Sequence, residues 1–325
     1  MSADAFPERQ TFRKIRVAGV QAAPVFLDLD ATTKKSIELI EQAGAQGADL
    51  IGFPEAFIPT FPNWYETIGE GPKAREFDKE LFKHSVEVPG EHIQAIAEAC
   101  GRANVNAVVG INERYNGTTG TMWNTQVHIT RDGKIAGKHQ KYVPTTGERL
   151  VHRPGTTGHV NSFKTDFGAV SGLICGENSN PLGQFAASLA YPVVHVASWP
   201  YYFHPYFPMH HAIATAGAGC AYTLKSFVVA AVSRIPEGYI EAVAETDEQR
   251  QFLTEQKALK KGALVFGPSG HLIADGSGSD DDLLITDIDL EDVIVPKLVL
   301  DFAGHYNRPE IFAPLFKQWM SQFDS

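Results

Sequence analysis

Short apolar runs alternate with segments of helical periodicity along most of the chain, which predicts strands and helices in alternation. Runs such as 15–22 and 107–115 have the length of buried strands and are followed closely by Pro, Asn or Gly. Strands are predicted at 15–22, 49–53, 107–115, 122–130, 134–139, 169–174, 193–197, 227–233, 262–266 and 283–288. Helices are predicted from 30 or 32 to 42 and at 74–84, 91–102, 183–190, 212–224, 237–261 and 290–300.

Two hairpin turns indicate that the predicted sheet is not purely parallel. Asn116-Gly117 and Asp132-Gly133 are dipeptides typical of tight β-turns, and each lies between two predicted strands. The predicted fold class is therefore α/β with antiparallel neighbours as well as strand–helix–strand units. The stretch 57–71 is rich in aromatic residues, Pro and Gly, and it is predicted to be an irregular loop.

The composition is that of an ordinary globular protein, with 325 residues, 43% of them hydrophobic and 20% charged. This length allows one large α/β domain or two smaller ones, and no linker requires a second domain. A formal net charge of -10 argues against nucleic acid or an anionic membrane as a partner. No apolar run is long enough to cross a bilayer, and residues 1–14 lack the apolar core of a signal peptide.

Three cysteines cannot all pair, and their spacing fits neither a zinc site nor a disulfide framework, so a cytoplasmic location is expected. Cys100 and Cys220 lie on predicted helices and are expected to be small core residues. Cys175 ends a predicted strand, just before a sharp turn and the helix that Pro181 opens. It is either a buried strand-end cysteine or a nucleophile whose thiolate the turn's backbone N–H groups would stabilise.

Two further polar residues follow predicted strands. Glu55 follows the predicted strand 49–53 after one proline, and Lys141 follows 134–139 after one glutamine, so each lies at a strand end as Cys175 does. Open α/β sheets place their chemistry at such ends. Lys141 is either a positioned cation there or an ordinary solvated lysine.

Two groups of potential metal ligands are also present. His204, His210 and His211 lie close together in an aromatic stretch, and residues 280–282 are consecutive aspartates. The histidines lack the regular spacing of a zinc motif, so an aromatic loop followed by a helix is the simpler interpretation. The aspartates are most simply a solvated turn, with an acidic metal site as the alternative. No metal site is therefore predicted.

The strand-end residues and their neighbours resemble the nitrilase (carbon–nitrogen hydrolase) superfamily. The segment 301–310 is similar to one typical of true nitrilases rather than of the amidases in this superfamily. Many nitrilases have Trp and His where Gly176 and Asn178 stand here, which bears on the substrate range. The other matching stretches are Phe53-Pro54-Glu55-Ala56-Phe57, Lys141 ahead of Pro144 and Glu148, Cys175-Gly176-Glu177-Asn178 and His195-Val196-Ala197-Ser198-Trp199-Pro200.

The resemblance implies a four-layer α-β-β-α sandwich, with two sheets face to face and helices outside. It implies a single domain over residues 1–325, with a core at about 14–309 and a short C-terminal tail. It also implies homodimers that build larger homo-oligomers, a small-molecule nitrile as substrate, and neither a metal nor an organic cofactor.

The same resemblance implies that a nitrile is hydrolysed to a carboxylic acid and ammonia through a thioimidate and a thioester. Cys175 would be the nucleophile and Glu55 the general base. Lys141 would stabilise the developing charge, and Glu148 would support Lys141. The proposed substrate-binding residues are Gly176, Trp199, Tyr142, Phe61 and Trp64, although aromatic side chains are often plain core.

Two alternatives remain open at this point. The first is an amidase, or an amide-releasing nitrilase, because amides and nitriles pass through related tetrahedral intermediates. The second is a catalytically silent assembly protein that retains the fold. The presence of Glu55, Lys141 and Cys175 together argues against the second, since a scaffold has no physical need for three polar groups at strand ends.

Overall fold

Two six-stranded mixed sheets form the centre of the structure, a computed structural model that describes residues 11–323. The first sheet has the strand order β12-β1-β2-β3-β4-β5, and the second has the order β11-β10-β9-β8-β7-β6. The strands are β1 (Lys14–Val20), β2 (Leu50–Gly52), β3 (Asn106–Arg114), β4 (Met122–Ile129), β5 (Ile135–Gln140), β6 (Ser162–Thr165), β7 (Gly168–Ile174), β8 (Val194–Trp199), β9 (Phe227–Val232), β10 (Leu264–Phe266), β11 (Leu272–Asp275) and β12 (Leu283–Asp289).

Helices connect the strands and cover the outer faces of both sheets. The first helix begins at Leu29, one or three residues before the predicted starts at 30 or 32. Its N-cap is Asp28, whose side chain accepts a hydrogen bond from the Ala31 amide at 2.9 Å. The helices are α1 (Leu29–Ala45), α2 (Trp64–Ile68), α3 (Pro72–Lys83), α4 (Glu91–Ala103), α5 (Pro181–Ser188), α6 (Met209–Leu224), α7 (Tyr239–Val243), α8 (Asp247–Ala258), α9 (Ile294–Val299) and α10 (Pro309–Met320). Short 3₁₀ turns lie at Thr146–Leu150, Cys175–Ser179 and Leu290–Val293.

The hydrophobic core has three layers. Between the sheets, Val17 and Leu50 of the first sheet pack with Val196 and Val229 of the second. The other face of the first sheet is covered by apolar residues of α1 and α4, and that of the second by residues of α6. Helix, sheet, sheet and helix thus follow one another, which confirms the α-β-β-α sandwich.

The directions of the strands decide which residues meet at one edge. β2 runs parallel to β1 and β3, while β3, β4 and β5 form an antiparallel meander, as the hairpin dipeptides predict. β5 therefore runs in the same direction as β2, and their C-terminal ends lie at the same edge of the first sheet. In the second sheet, β8 runs parallel to both β7 and β9.

Several sequence predictions of elements are wrong. The stretch 57–71 contains α2, which packs its first residue, Trp64, into the core. The segment 237–261 is not one helix but holds two, α7 and α8, and Tyr239 on α7 is fully buried. β6 and α10 have no counterpart in the predicted elements.

The ends of the chain bear on two further expectations. Within residues 11–323, no helix is both long and apolar enough to span a membrane. The polar N-terminal segment 1–14 lies mostly outside the described residues. At the other end of the chain, none of the α10 residues is buried. The prediction of a single domain with a core at about 14–309 stays a prediction.

Candidate active site

A buried lysine joins two carboxylates at the edge where β2 and β5 end. The Lys141 Nζ atom donates hydrogen bonds to Glu55 Oε1 at 2.7 Å and to Glu148 Oε2 at 2.6 Å. The three residues are 1–2% exposed. Lys141 is therefore a buried, paired cation and not a solvated surface lysine.

Glu55 is positioned by the segment that follows β2, which lies very close to strand β3. A Cβ atom at Gly110 on β3 would lie 1.9 Å from the Pro54 carbonyl oxygen, so only glycine permits this path. The Glu55 amide then donates to the Trp199 carbonyl at 3.4 Å, at the end of β8 in the other sheet. Glu55 thus lies where the two sheets meet.

Asn124, on β4, connects the two carboxylates and has no role in the sequence-based prediction. Its Nδ2 atom donates to Glu55 Oε1 at 2.8 Å and to Glu148 Oε1 at 2.9 Å. Glu148 Oε2 also accepts from the Thr145 amide at 3.0 Å, which fixes the 3₁₀ turn that carries it. A polar residue in the middle of a buried strand was the available signal, because such a group needs hydrogen-bond partners.

The two carboxylates have opposite pKa shifts. Burial acts to raise both pKa values, but at Glu148 the positive charge of Lys141 and contact with His152 outweigh it, and the pKa falls to about 2. At Glu55, burial together with the negative charge of Glu148 outweighs Lys141, and the pKa rises to about 7. Burial opposes the charged form of Lys141, but both carboxylates outweigh it and hold its pKa well above the usual value.

One carboxylate oxygen of Glu55 makes no hydrogen bond within residues 11–323. Within the described part of the chain, Glu55 Oε2 is buried and has no hydrogen-bond partner. Buried polar atoms normally have hydrogen-bond partners, so this oxygen is an exception that leaves one atom of a carboxylate with a raised pKa free to accept a proton.

Cys175 is the first residue of the 3₁₀ turn that follows β7. Its φ of +51° is in the left-handed region, which non-glycine residues seldom occupy and which is frequent at functional sites. Burial raises the pKa of its thiol well above the usual value, Glu55 raises it further, and Lys141 acts in the opposite direction. The raised pKa favours the neutral thiol over the thiolate.

Asn178 fixes the turn around Cys175. Its Nδ2 atom donates to the Leu173 carbonyl at 3.1 Å and to the Cys175 carbonyl at 3.0 Å. Its Oδ1 atom lies 2.9 Å from His195 Nε2 on β8. The asparagine thus connects the turn at Cys175 to the neighbouring strand, a role that its sequence position alone did not predict.

The five predicted substrate-binding residues lie in different surroundings. Trp199 is 3% exposed and shares a core cluster with Cys175, while Gly176 is exposed with open space beside its Cα atom. Tyr142 is half-buried and follows Lys141 directly. Phe61 and Trp64 are buried in a different cluster, which also contains Ala56 next to Glu55. Their contact with substrate stays a prediction.

The groups considered as metal ligands are dispersed. Across residues 11–323, no three His, Cys, Asp or Glu side chains are grouped so that they could hold a metal ion. Of the aspartates at 280–282, Asp280 pairs with Lys260 at 2.6 Å.

Cys100 and Cys220 are fully buried, and burial raises the pKa of each thiol to about 12, which confirms them as core residues.

Comparison with known proteins gives a consistent result. The sequence model of the carbon–nitrogen hydrolase family matches residues 16–295. A nitrilase from Bacillus sp. strain OxB-1 is 34% identical over 303 residues, covering 92% of this chain and 86% of that protein. An aliphatic nitrilase from Rhodococcus rhodochrous is 31% identical over 310 residues, covering 93% of this chain and 82% of that protein. A solved carbon–nitrogen hydrolase from Helicobacter pylori, 17% identical, has a TM-score of 0.71 over 93% of this chain and 98% of its own, a likeness of fold.

Proposed function

The chain belongs to the carbon–nitrogen hydrolase family, and we propose that it is a nitrilase, converting an organic nitrile to the carboxylic acid and ammonia. The family and its relatives make it an enzyme that acts on carbon–nitrogen bonds other than peptide bonds. The observation that carries the proposal is the free Oε2 atom of Glu55, on a carboxylate with a raised pKa that also contacts Lys141. The Cys175 thiol, which interacts electrostatically with both, supplies the nucleophile.

In the first half of the reaction, the nitrile becomes covalently attached. Cys175 gives its proton to Glu55 while its sulfur adds to the nitrile carbon. The negative charge that develops on the nitrile nitrogen is stabilised by Lys141 and the Gly176 N–H group. Glu55 then gives the proton to that nitrogen, which yields the thioimidate and restores the carboxylate.

In the second half, water releases the products. Glu55 takes a proton from a water molecule that adds to the thioimidate carbon, and passes this proton to the nitrogen. The hydroxyl proton of the adduct then reaches the nitrogen through Glu55, the C–N bond breaks, and ammonia leaves as the carbonyl of the thioester forms. The thioester that remains is hydrolysed by a second water molecule, which frees the acid and restores the thiol of Cys175. Glu148, with its lowered pKa, stays ionised and holds Lys141 in its charged form throughout.

Ammonia release from aliphatic, arylaliphatic and aromatic nitriles tests this proposal, with the corresponding amides assayed beside them. Turnover of nitriles by the wild type and none by folded Cys175→Ala is expected. Aliphatic nitriles belong in the panel because relatives are named aliphatic nitrilases. Turnover of amides alone would replace the proposal with an amidase, and acid formation by folded Cys175→Ala would overturn the mechanism.

The proposal extends to assembly: we expect homodimers of this chain that build larger homo-oligomers. Exposed apolar side chains support it, since a second copy would remove them from water. Light scattering of the purified protein should give a mass of at least two chains, whereas the mass of one chain would contradict the expectation. The exposed apolar residues of α9 and α10 are Val295, Leu298, Val299, Ile311, Phe312, Leu315, Phe316, Trp319 and Met320.

A cytoplasmic location also forms part of the proposal. The mechanism needs Cys175 as a free thiol, and Cys100, Cys175 and Cys220 are all free. Reducing compartments preserve such thiols. Cell fractionation tests this, and recovery of the active protein from an oxidising compartment would contradict it.

A further inference from the structure

The groups of the proposed site come from different sheets. Glu55 and Lys141 follow β2 and β5 of the first sheet, and Cys175 follows β7 of the second. The chemistry therefore depends on how the ends of the two sheets are held against each other. A misplacement of about 1 Å can cost on the order of 10² in rate.

The carboxylate of Glu177 spans this junction. Its Oε2 atom accepts a hydrogen bond from the Ile174 amide at 2.9 Å, and its Oε1 atom accepts from the Tyr142 amide at 2.6 Å. Ile174 directly precedes Cys175, and Tyr142 directly follows Lys141. One side chain thus binds the backbone beside the nucleophile and the backbone beside the cation.

A third partner holds Glu177 in this orientation. The Nε2 atom of His139, on β5, lies 2.9 Å from Glu177 Oε2. Glu177 is 6% exposed and His139 is fully buried. Hydrogen bonds to a carboxylate are among the stronger ones, and burial restricts competition from water.

We infer that Glu177 is a positioning residue that, with His139, sets the distance between Cys175 and Lys141 across the two sheets. This inference rests on the proposed function, because it assigns Glu177 to the same reaction. Glu177 itself does not contact the reacting atoms in this scheme. It acts through the backbone on either side of the site.

Glu177→Gln is the sharpest test. A carboxylate accepts at both oxygens, whereas an amide has one oxygen and one NH₂ group. In either orientation, the NH₂ group of the glutamine faces a backbone N–H group, of Tyr142 or of Ile174. The variant therefore keeps the volume of the side chain but breaks the connection on one side.

Glu113→Gln is the matched control. Glu113 is 3% exposed, and its carboxylate also accepts from three side chains, those of Thr125, Lys138 and Gln140. All of these contacts lie within the first sheet, between β3, β4 and β5. The two variants thus remove a similar buried carboxylate, but only one of those two carboxylates bridges the sheets.

Two measurements, kcat and the rate of Cys175 alkylation, distinguish a positioning role of Glu177 from a role in stability alone. For Glu177→Gln we expect kcat on nitriles to fall about 10²-fold, with KM changed less than about threefold, and Cys175 alkylation by iodoacetamide to slow in parallel. For Glu113→Gln we expect a similar fall in Tm with kcat nearly unchanged. A kcat and alkylation rate for Glu177→Gln that stay within twofold of the wild type would overturn the inference.

A second pair of variants decides the matter if Glu177→Gln does not fold. His139→Gln retains a side-chain N–H donor for Glu177, and His139→Leu does not. Higher kcat in His139→Gln than in His139→Leu supports positioning, while equal values in folded proteins overturn it. A wild type that hydrolyses no nitrile would contradict the proposed function alone, since the alkylation rates would still report on Glu177.

Discussion

The ammonium group of Lys141 lies 2.7 Å from Oε1 of Glu55, and the other oxygen of that carboxylate, Oε2, is buried without a hydrogen-bond partner in residues 11–323. The two oxygens of Glu55 are therefore not equivalent. One is occupied by the cation, and the other is free to take a proton. This division fits a carboxylate that is held in place by one atom and acts as a base through the other.

The raised pKa of Glu55 predicts the pH dependence of activity. A general base acts only in its deprotonated form, so kcat/KM should rise with pH through about 7 and fall about tenfold per unit below it. Glu55→Gln should lose on the order of 10²–10⁴ in turnover and lack this rise. Steady-state kinetics across pH 5–9 on the proposed nitrile substrates measures both. An unchanged acid limb in a Glu55→Gln protein that remains active would assign the titration to another group.

Lys141 provides a second prediction. Lys141→Ala removes the cation beside the developing negative charge, and the loss of one such donor typically costs about 10²–10³ in kcat. Lys138→Ala, on the strand that precedes Lys141, is the control, because Lys138 is half-exposed and pairs with Glu113 rather than with Glu55 or Glu148. Near-normal rates in folded Lys141→Ala would reduce Lys141 to a structural counter-ion of Glu55 and Glu148.

The strand ends that carry these groups could be predicted from the sequence. The predicted strands before Glu55, Lys141 and Cys175 correspond to β2, β5 and β7, and the hairpin dipeptides indicated the antiparallel strands β3, β4 and β5. The family resemblance supplied the arrangement of two sheets. The chemical roles of the three residues stay predictions.

The polar contacts that hold the site could not be predicted in this way. Asn124 reaches Glu55 across 69 positions of the sequence, and Glu177 reaches Tyr142 across 35. Both contacts depend on which strands are neighbours and on how the sheets face each other. Local periodicity carries neither kind of information.

Two helices were missed for local reasons. Trp64–Ile68 lies in a stretch rich in Pro and Gly, and its helical form depends on the burial of Trp64 in the core. Pro309–Met320 contains Pro314, which argues against a helix interior when the sequence is considered alone. In both segments the local sequence therefore argues against a helix, although the structure contains one.

The three cysteines should react very differently with alkylating agents. Cys100 and Cys220 are fully buried, whereas Cys175 keeps 6% exposure, borders the open space beside Gly176 and interacts with Glu55, the base proposed to take its proton. Iodoacetamide should therefore modify Cys175 first and abolish activity in step, as peptide mapping by mass spectrometry would show. Cys100→Ala and Cys220→Ala should stay active, each losing about 1 kcal/mol of stability. Inactivation that tracks Cys100 or Cys220 instead would contradict the assignment.

Metal chelators should leave the activity unchanged. The proposed steps use only Glu55, Lys141, Cys175 and Glu148 with water, and Lys141 supplies the positive charge that contacts both carboxylates. Activity before and after dialysis against a strong chelator checks this. Loss of turnover that a specific metal restores would bring back the hypothesis of a site at His204, His210 and His211.

Gly176 is the position from which the substrate range can be altered. It directly follows the nucleophile, it is exposed, and a Cβ atom there would meet no other atom within 4 Å. The left-handed conformation of the turn belongs to Cys175, with φ +51°, and not to Gly176, so a side chain at 176 adds no backbone strain. We therefore expect Gly176→Trp to fold with a Tm close to that of the wild type and to fill space beside the reacting carbon.

A series of nitriles of increasing bulk tests this expectation. Gly176→Trp should lower kcat/KM most for substrates with bulky groups near the nitrile carbon and least for small aliphatic nitriles, because only the former compete with the indole for space. Gly176→Ala is the control, since a methyl group there is expected to disturb all substrates little. Equal losses for every substrate in Gly176→Trp would contradict the steric explanation. They would point instead to a displaced Gly176 N–H group, whose contribution to charge stabilisation does not depend on the size of the substrate.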